Sequence, residues 1–261
     1  MPNQQSTTIE EDWPQYLEFE TRFLRFTKDV PLIWQHEGTR SYYLVGLAQN
    51  VCSLIETTFK RMANAVGSPL KEDSDINNCR RILEPYYNLS RQKVRVKIDE
   101  AMCNRLRAEL RKEDLAHFFL HSQIPTTDGV TPFEAWEKGE NPEWWRIYSA
   151  KKHNRVEMFN EMTLAQCMMA MSAVFLLSVY PIECREFLAR EGVIYTTHGG
   201  GASAFWETVG SKTPVLDSEL LRFVGDFYAE TRGFKFEFPR FEEHGQSKVR
   251  PTQLFSDVEW F

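Results

Sequence analysis

Between Trp144 and Arg155 the chain reads WWRIYSAKKHNR, and residues 146–155 hold four formal positive charges and no acid. On a helix, Arg146, Ser149, Ala150 and His153 fall at i, i+3, i+4 and i+7, which is one stripe. A guanidinium and an imidazole then share a face, with Lys151, Lys152 and Arg155 around them. That set suits a phosphodiester. Guanidinium groups neutralise phosphate oxygens bidentately, and histidine moves a proton near neutral pH. One such face is part of an active site, and a two-fold dimer would bring two together. The same residues have a plain reading as well: a histidine beside Trp and Tyr is commonly structural, and KKHNR is commonly a solvated face.

Other candidate chemistry is weaker. His198-Gly199-Gly200-Gly201 has the look of an oxyanion-hole loop, but the G-x-S-x-G nucleophile elbow that such chemistry needs does not occur. No glycine cluster is followed by GK[ST], so a phosphate-binding P-loop is not expected. His117 and His121 have the i, i+4 spacing of a shared metal on a helix, but FFL between them supplies no carboxylate and HExxH is absent. Neither a metal nor a cofactor is expected.

The elements that must position the cationic stretch are mostly helical. Helices are predicted over 16–28 and over 41–65, the second with an apolar stripe Leu44, Leu47, Ala48, Val51, Leu54, Ile55, Phe59 and Met62 that stops at Gly67-Ser68-Pro69. Asp75 is the predicted cap of a third helix ending at Tyr87. Val94, Val96 and Ile98 alternate with Lys93, Arg95 and Lys97, the pattern of a short half-exposed strand, and helix is expected again after Asp99. Asn141 and Pro142 should open a helix near Glu143. With no breaker before Pro181, that helix could continue, bent or unbent, into the apolar run 164–179. The run is 16 residues long, short of the roughly 20 that cross a bilayer, so a buried bundle helix is expected and no membrane span. Past Pro181 the texture changes: strands are predicted at 194–197 and 234–238, with a helix from Asp217 to Thr231.

The whole chain has 261 residues, 42% hydrophobic, with 7 Trp, 9 Tyr and 19 Phe, too much buryable surface for a disordered protein. Its net charge of −6 excludes indiscriminate, whole-surface binding to nucleic acid. The bases are nevertheless clustered: residues 91–112 hold eight Lys or Arg against three acids, so a localised anionic partner remains open. Five cysteines without a C-x-x-C pair read as reduced thiols of a cytoplasmic protein. The first 20 residues carry five acids and no Lys or Arg, and no secretory signal is expected there.

Arg146-x6-His153 fits the R-x(4 to 6)-H signature of HEPN domains, and its setting adds detail. The stretch PFEAWEKGENPEWWRIYSAKKHNRVEMFNEMTLAQCMMAMSAVFLLSVY resembles the W-W-x-x-Y-N-x-x-K-H-x-R helix and following apolar helix of HEPN-like bacterial proteins. YYLVGLAQNVCSLIETTFK, with Glu56 and Lys60 four apart, resembles their first bundle helix. The resemblance covers about residues 40–180. It implies a mainly α HEPN-like helical bundle (40–181), preceded by an N-terminal segment (1–39) and followed by a C-terminal extension of mixed α/β or irregular structure (182–261).

The resemblance also implies a homodimeric, metal-independent endoribonuclease, of the kind found in toxin and phage-defence systems, with RNA as substrate and an antitoxin or other protein as partner. His153 would then transfer a proton or hold the attacking 2′-hydroxyl, and Arg146 would stabilise the strained phosphate. Lys151, Lys152, Arg155, Ser149 and Asn154 would contact substrate. The chain departs from the pattern twice: Ile147 stands where a polar residue usually follows the Arg, and Ser149 where the pattern has Asn. If Arg146 is not the equivalent residue, then Lys152, His153 and Arg155 are the polar set. The alternative that follows is a catalytically inactive HEPN-like module that binds RNA, a nucleotide or a protein.

Overall fold

A computed structural model describes residues 9–30, 32, 36–71, 74–96, 129–196 and 227–238. The described chain is mainly helical, with a small antiparallel sheet. Helix α1 (Ile9–Asp29) starts earlier than the sequence predicts and runs through Pro14. Burying a large apolar side chain is worth about 1.5–3 kcal/mol, so Ile9 and Trp13 together offset the roughly 3 kcal/mol cost of an internal proline. Glu10, Glu11 and Asp12 in the first turn also match the helix dipole.

Helix α2 (Tyr42–Ala65) buries the predicted stripe, and Ser41 caps it by accepting from the Tyr43 amide. Its end is a Schellman turn. Gly67 sits at φ +70°, its N–H donates to the Asn64 carbonyl, and the Ser68 N–H donates to the Ala63 carbonyl at 2.9 Å. Helix α3 (Ile76–Tyr87) begins where predicted, with the Asp75 carboxylate accepting from the Asn78 amide at 2.9 Å. Strand β1 (Val94–Val96) buries Val94 and Val96 and exposes Arg95, as the alternation requires. Ile98, the expected helix after Asp99, His117 and His121 lie outside the described residues.

The helix from 143 does not continue into the apolar run; the segment forms three helices, α4 (Glu143–Lys151), α5 (Arg155–Glu161) and α6 (Leu164–Val179). Local capping explains both breaks. Asn154 accepts from the Glu157 amide and Thr163 from the Gln166 amide, each a polar cap followed at the third position by Glu or Gln. Two further amides at the start of α6 are satisfied across the fold, Leu164 by the Thr39 carbonyl and Ala165 by that of Glu37. Thirteen of the 16 residues of α6 are buried, so it has no polar face and serves as the central helix, packed on α2 and touching α1, α4, β1 and β4. No helix among the described residues is long and apolar enough to cross a membrane.

After α6 come α7 (Ile182–Arg190), which the sequence reading misses, and β2 (Ile194–Thr196), β3 (Phe227–Glu230) and β4 (Phe234–Glu237). The helix predicted for 217–231 is corrected at its end: residues 227–230 form β3. Residues 217–226 and the glycine run 198–203 lie outside the described residues. The sheet order is β1-β4-β3-β2, all antiparallel, with Val94 opposite Phe236 and Ile194 opposite Ala229. Phe234 packs on Phe175 of α6 and Phe236 on Tyr180, and pairing of β3 with β4 and β2 outweighs helix propensity over 227–230. The turn between β3 and β4 is held by the buried Glu20 of α1, which accepts from the Tyr16 hydroxyl (3.0 Å), the Gly233 amide (3.0 Å) and the Thr231 hydroxyl. At Gly233 a Cβ would sit 3.3 Å from that carboxylate and 3.2 Å from Leu24, so glycine permits the close approach.

Candidate nucleic-acid interface

Helix α4 is anchored by aromatics. Trp144 donates its indole N–H to the Pro132 carbonyl at 3.0 Å, and Trp144, Trp145 and Tyr148 join Phe59, Phe133 and Trp136 in one run of ring contacts. Asn141 does not cap this helix. Its side-chain oxygen is buried without a partner among the described residues, and the first turn closes on the Pro142 carbonyl, which accepts from Trp145 and Arg146. With Trp144, Trp145, Ile147 and Tyr148 inward, the opposite face carries Arg146, Ser149 and Ala150, all exposed. Ile147 is buried, so at this position the chain needs an apolar side chain and not a polar one.

His153 is not on this helix. Lys151 is the last residue of α4, and Lys152 and His153 form the turn into α5. The seven-residue stripe is therefore interrupted, although Arg146 and His153 both remain exposed. Neither side chain makes a hydrogen bond or ion pair with a described residue, and the same holds for Arg155. The guanidinium of Arg155 lies beside α2, its Nη2 at 3.6 Å from where a Cβ on Gly46 would be.

The other predicted contact residues are committed locally. Lys151 pairs with Glu161. Lys152 pairs with Glu56 of α2 at 3.3 Å and stands 5.4 Å from the Tyr148 ring centre. Burial holds the Tyr148 hydroxyl well above the usual phenol range, and the nearby negative charge of Glu56 adds to the effect. Asn154 caps α5 and also donates its side-chain amide to Glu157 at 2.7 Å. Ser149 donates to the Arg146 carbonyl at 3.3 Å. Of the four positives in 146–155, two are thus matched by carboxylates from other parts of the chain, and Arg146 and Arg155 are left with the His153 imidazole.

Sequence reading does not find two further residues of this region. Gln49 donates its side-chain amide to the Lys152 carbonyl at 2.9 Å and fixes the turn that carries His153. Tyr42 stacks on Phe159 with ring centres 4.5 Å apart. Tyr42 is exposed and Gln49 half-buried at the edge of the α2 stripe, where no periodicity separates a functional side chain from a solvated one. Among the described residues no group of three or more His, Cys, Asp or Glu is placed to hold a metal.

No protein-family model matches the chain, and no curated protein and no solved structure matches it.

Proposed function

We propose that this chain is a metal-independent endoribonuclease of HEPN type, acting as a homodimer in a toxin or phage-defence setting. One observation carries the reading: Arg146, His153 and Arg155 stand exposed and unmatched among the described residues, while the lysines between them are neutralised. An anion that accepts two guanidiniums and uses an imidazole is a phosphodiester. Arg146 neutralises the phosphate and His153 moves the proton of the attacking 2′-hydroxyl, so no metal-bound nucleophile is required. Two copies related by a two-fold axis would supply a cleft with paired Arg and His side chains.

The test is RNA cleavage by the purified chain in the presence of a chelator. His153→Ala should lower the rate by roughly 10²–10⁴-fold, the usual share of a general acid or base, and cleavage unchanged by that substitution sinks the assignment. A second reading has its own support. Ile147 is buried and the Ser149 hydroxyl turns back to the Arg146 carbonyl, so neither adds a polar group beside the arginine. A silent HEPN-like module that binds RNA, a nucleotide or a protein would show binding that requires Arg146 with no cleavage by the unchanged chain.

A further inference from the structure

The turn and helix that carry His153 and Arg155 lie against one row of α2. Tyr42, Gly46 and Gln49 are spaced i, i+4 and i+7, and they meet the Phe159 ring, the Arg155 guanidinium and the Lys152 carbonyl in that order. Tyr42 ends this row. It is 51% exposed although Phe159 stacks on it at 4.5 Å with an interplanar angle of 22°, so one ring face is covered and the rest is open. Val156, 61% exposed, follows Arg155 directly. Of the α5 carboxylates, Glu161 is paired with Lys151 and Glu157 is hydrogen-bonded to Asn154, so neither is paired with the Arg155 guanidinium, which lies against Gly46 one helical turn from the ring.

An open aromatic face one helical turn from an unmatched guanidinium fits one ligand chemistry closely. A nucleotide offers a flat π-face and, a short reach away, an anionic phosphate, and proteins that hold single strands combine these two contacts. Gly46 is four positions after Tyr42 on α2, a rise of roughly 6 Å, the scale on which a base and its own phosphate are separated. A protein surface would have to set a carboxylate beside an apolar patch to do the same, whereas every nucleotide of a strand carries both groups.

We infer that Tyr42, backed by Phe159, is a stacking platform for one nucleobase of a single-stranded RNA whose phosphate is held by Arg155. The inference rests on the RNA reading above and adds the contact that would place the strand across His153.

The probe is a single-stranded 2′-O-methyl oligonucleotide of about 12 nucleotides, resistant to 2′-hydroxyl attack and carrying the fluorescent base 2-aminopurine. The unchanged full chain binds it and quenches the fluorescence by stacking. Tyr42→Ala lowers affinity roughly ten- to a hundredfold and removes the quenching. Tyr42→Leu, which keeps an apolar cover on Phe159 without a π-face, gives the same loss. Tyr42→Phe retains both signals, and Tyr86→Ala, a tyrosine of α3 that is equally open at 50% exposed, leaves both unchanged. Binding and quenching that survive both Tyr42→Ala and Tyr42→Leu overturn the platform and leave the RNA reading standing. A loss of self-association in those variants, with RNA affinity unchanged, assigns the ring to a second copy and overturns it equally. Failure of the unchanged chain to bind overturns the RNA reading itself, and the platform with it.

Discussion

Helix α2 takes part in two ion pairs of opposite character. Arg61 meets Asp12 of α1 where both side chains are almost fully buried, whereas Glu56 meets Lys152 where both are more than a third exposed. The buried pair has almost no access to water. The Nε and Nη2 atoms of Arg61 find no acceptor among the described residues, so Asp12 is the charge that makes its burial tolerable. The open pair is screened, and each member could turn to solvent at little cost. The charge beside α1 is therefore one the fold cannot lose singly, while the pair between α2 and the turn after α4 can separate into solvent at little cost.

The largest test of that contrast is to break each pair in turn. Asp12→Ala should lower unfolding stability in urea by about 3–5 kcal/mol, the usual result of leaving a buried charge alone. Lys152→Ala should cost no more than about 1 kcal/mol. Equal losses would remove the distinction.

The buried side can be examined separately through alkaline pH. Burial pushes the thiols of Cys79 and Cys167 up from 9.0 to about 12, and the Tyr180 hydroxyl up from 10.0 to about 12. Between those limits the unfolded chain has released protons that the folded chain keeps. Stability is thus full below about pH 9 and declines as pH rises toward 12. Urea midpoints measured at stepped alkaline pH should fall, and the slope should flatten in Cys167→Ala. A pH-independent midpoint would show that these groups open to solvent in the native state.

Asp75 sharpens the comparison with a smaller effect, because it is exposed and yet structural. The Asn78 backbone N–H and then the Asn77 side chain hold its carboxyl below the ordinary 3.8. Its contribution is present above the usual carboxylate range and is lost as pH falls through the depressed value. Asp75→Ala should cost about 1 kcal/mol near neutral pH, and the deficit should vanish in strong acid. A deficit that persists there would mean that the charge is not what caps α3. Exposure alone, then, does not make a charge available; it must also lack a local partner, as Arg146 and Arg155 do among the described residues.

The helices that position the interface were legible where local signals are strong. Ser41, Asp75 and Gly67 mark helix ends by chemistry confined to a few neighbouring residues, and the observed ends agree. The breaks at 152–154 and 162–163 were also written locally, in Asn154-x-x-Glu157 and Thr163-x-x-Gln166, but the absence of Gly and Pro there hid them. Residues 227–230 went the other way. Ordinary helix propensity was overridden because β4 lies across the hairpin and pairs in turn with β1, more than 130 residues earlier in the sequence.

For the candidate interface, residue types determined the charge on offer: a run with two arginines, two lysines and one histidine, and no acid. The tertiary structure decided how much of that charge is left. Glu56 comes from α2 and Glu161 from the far end of α5 to neutralise the lysines, and Gln49 sets the turn on which His153 sits. The physical reason is range. Caps, stripes and helix ends depend on contacts a few residues apart, which the order of residues fixes directly, whereas the charge at a surface depends on every carboxylate that folding brings within a few ångströms.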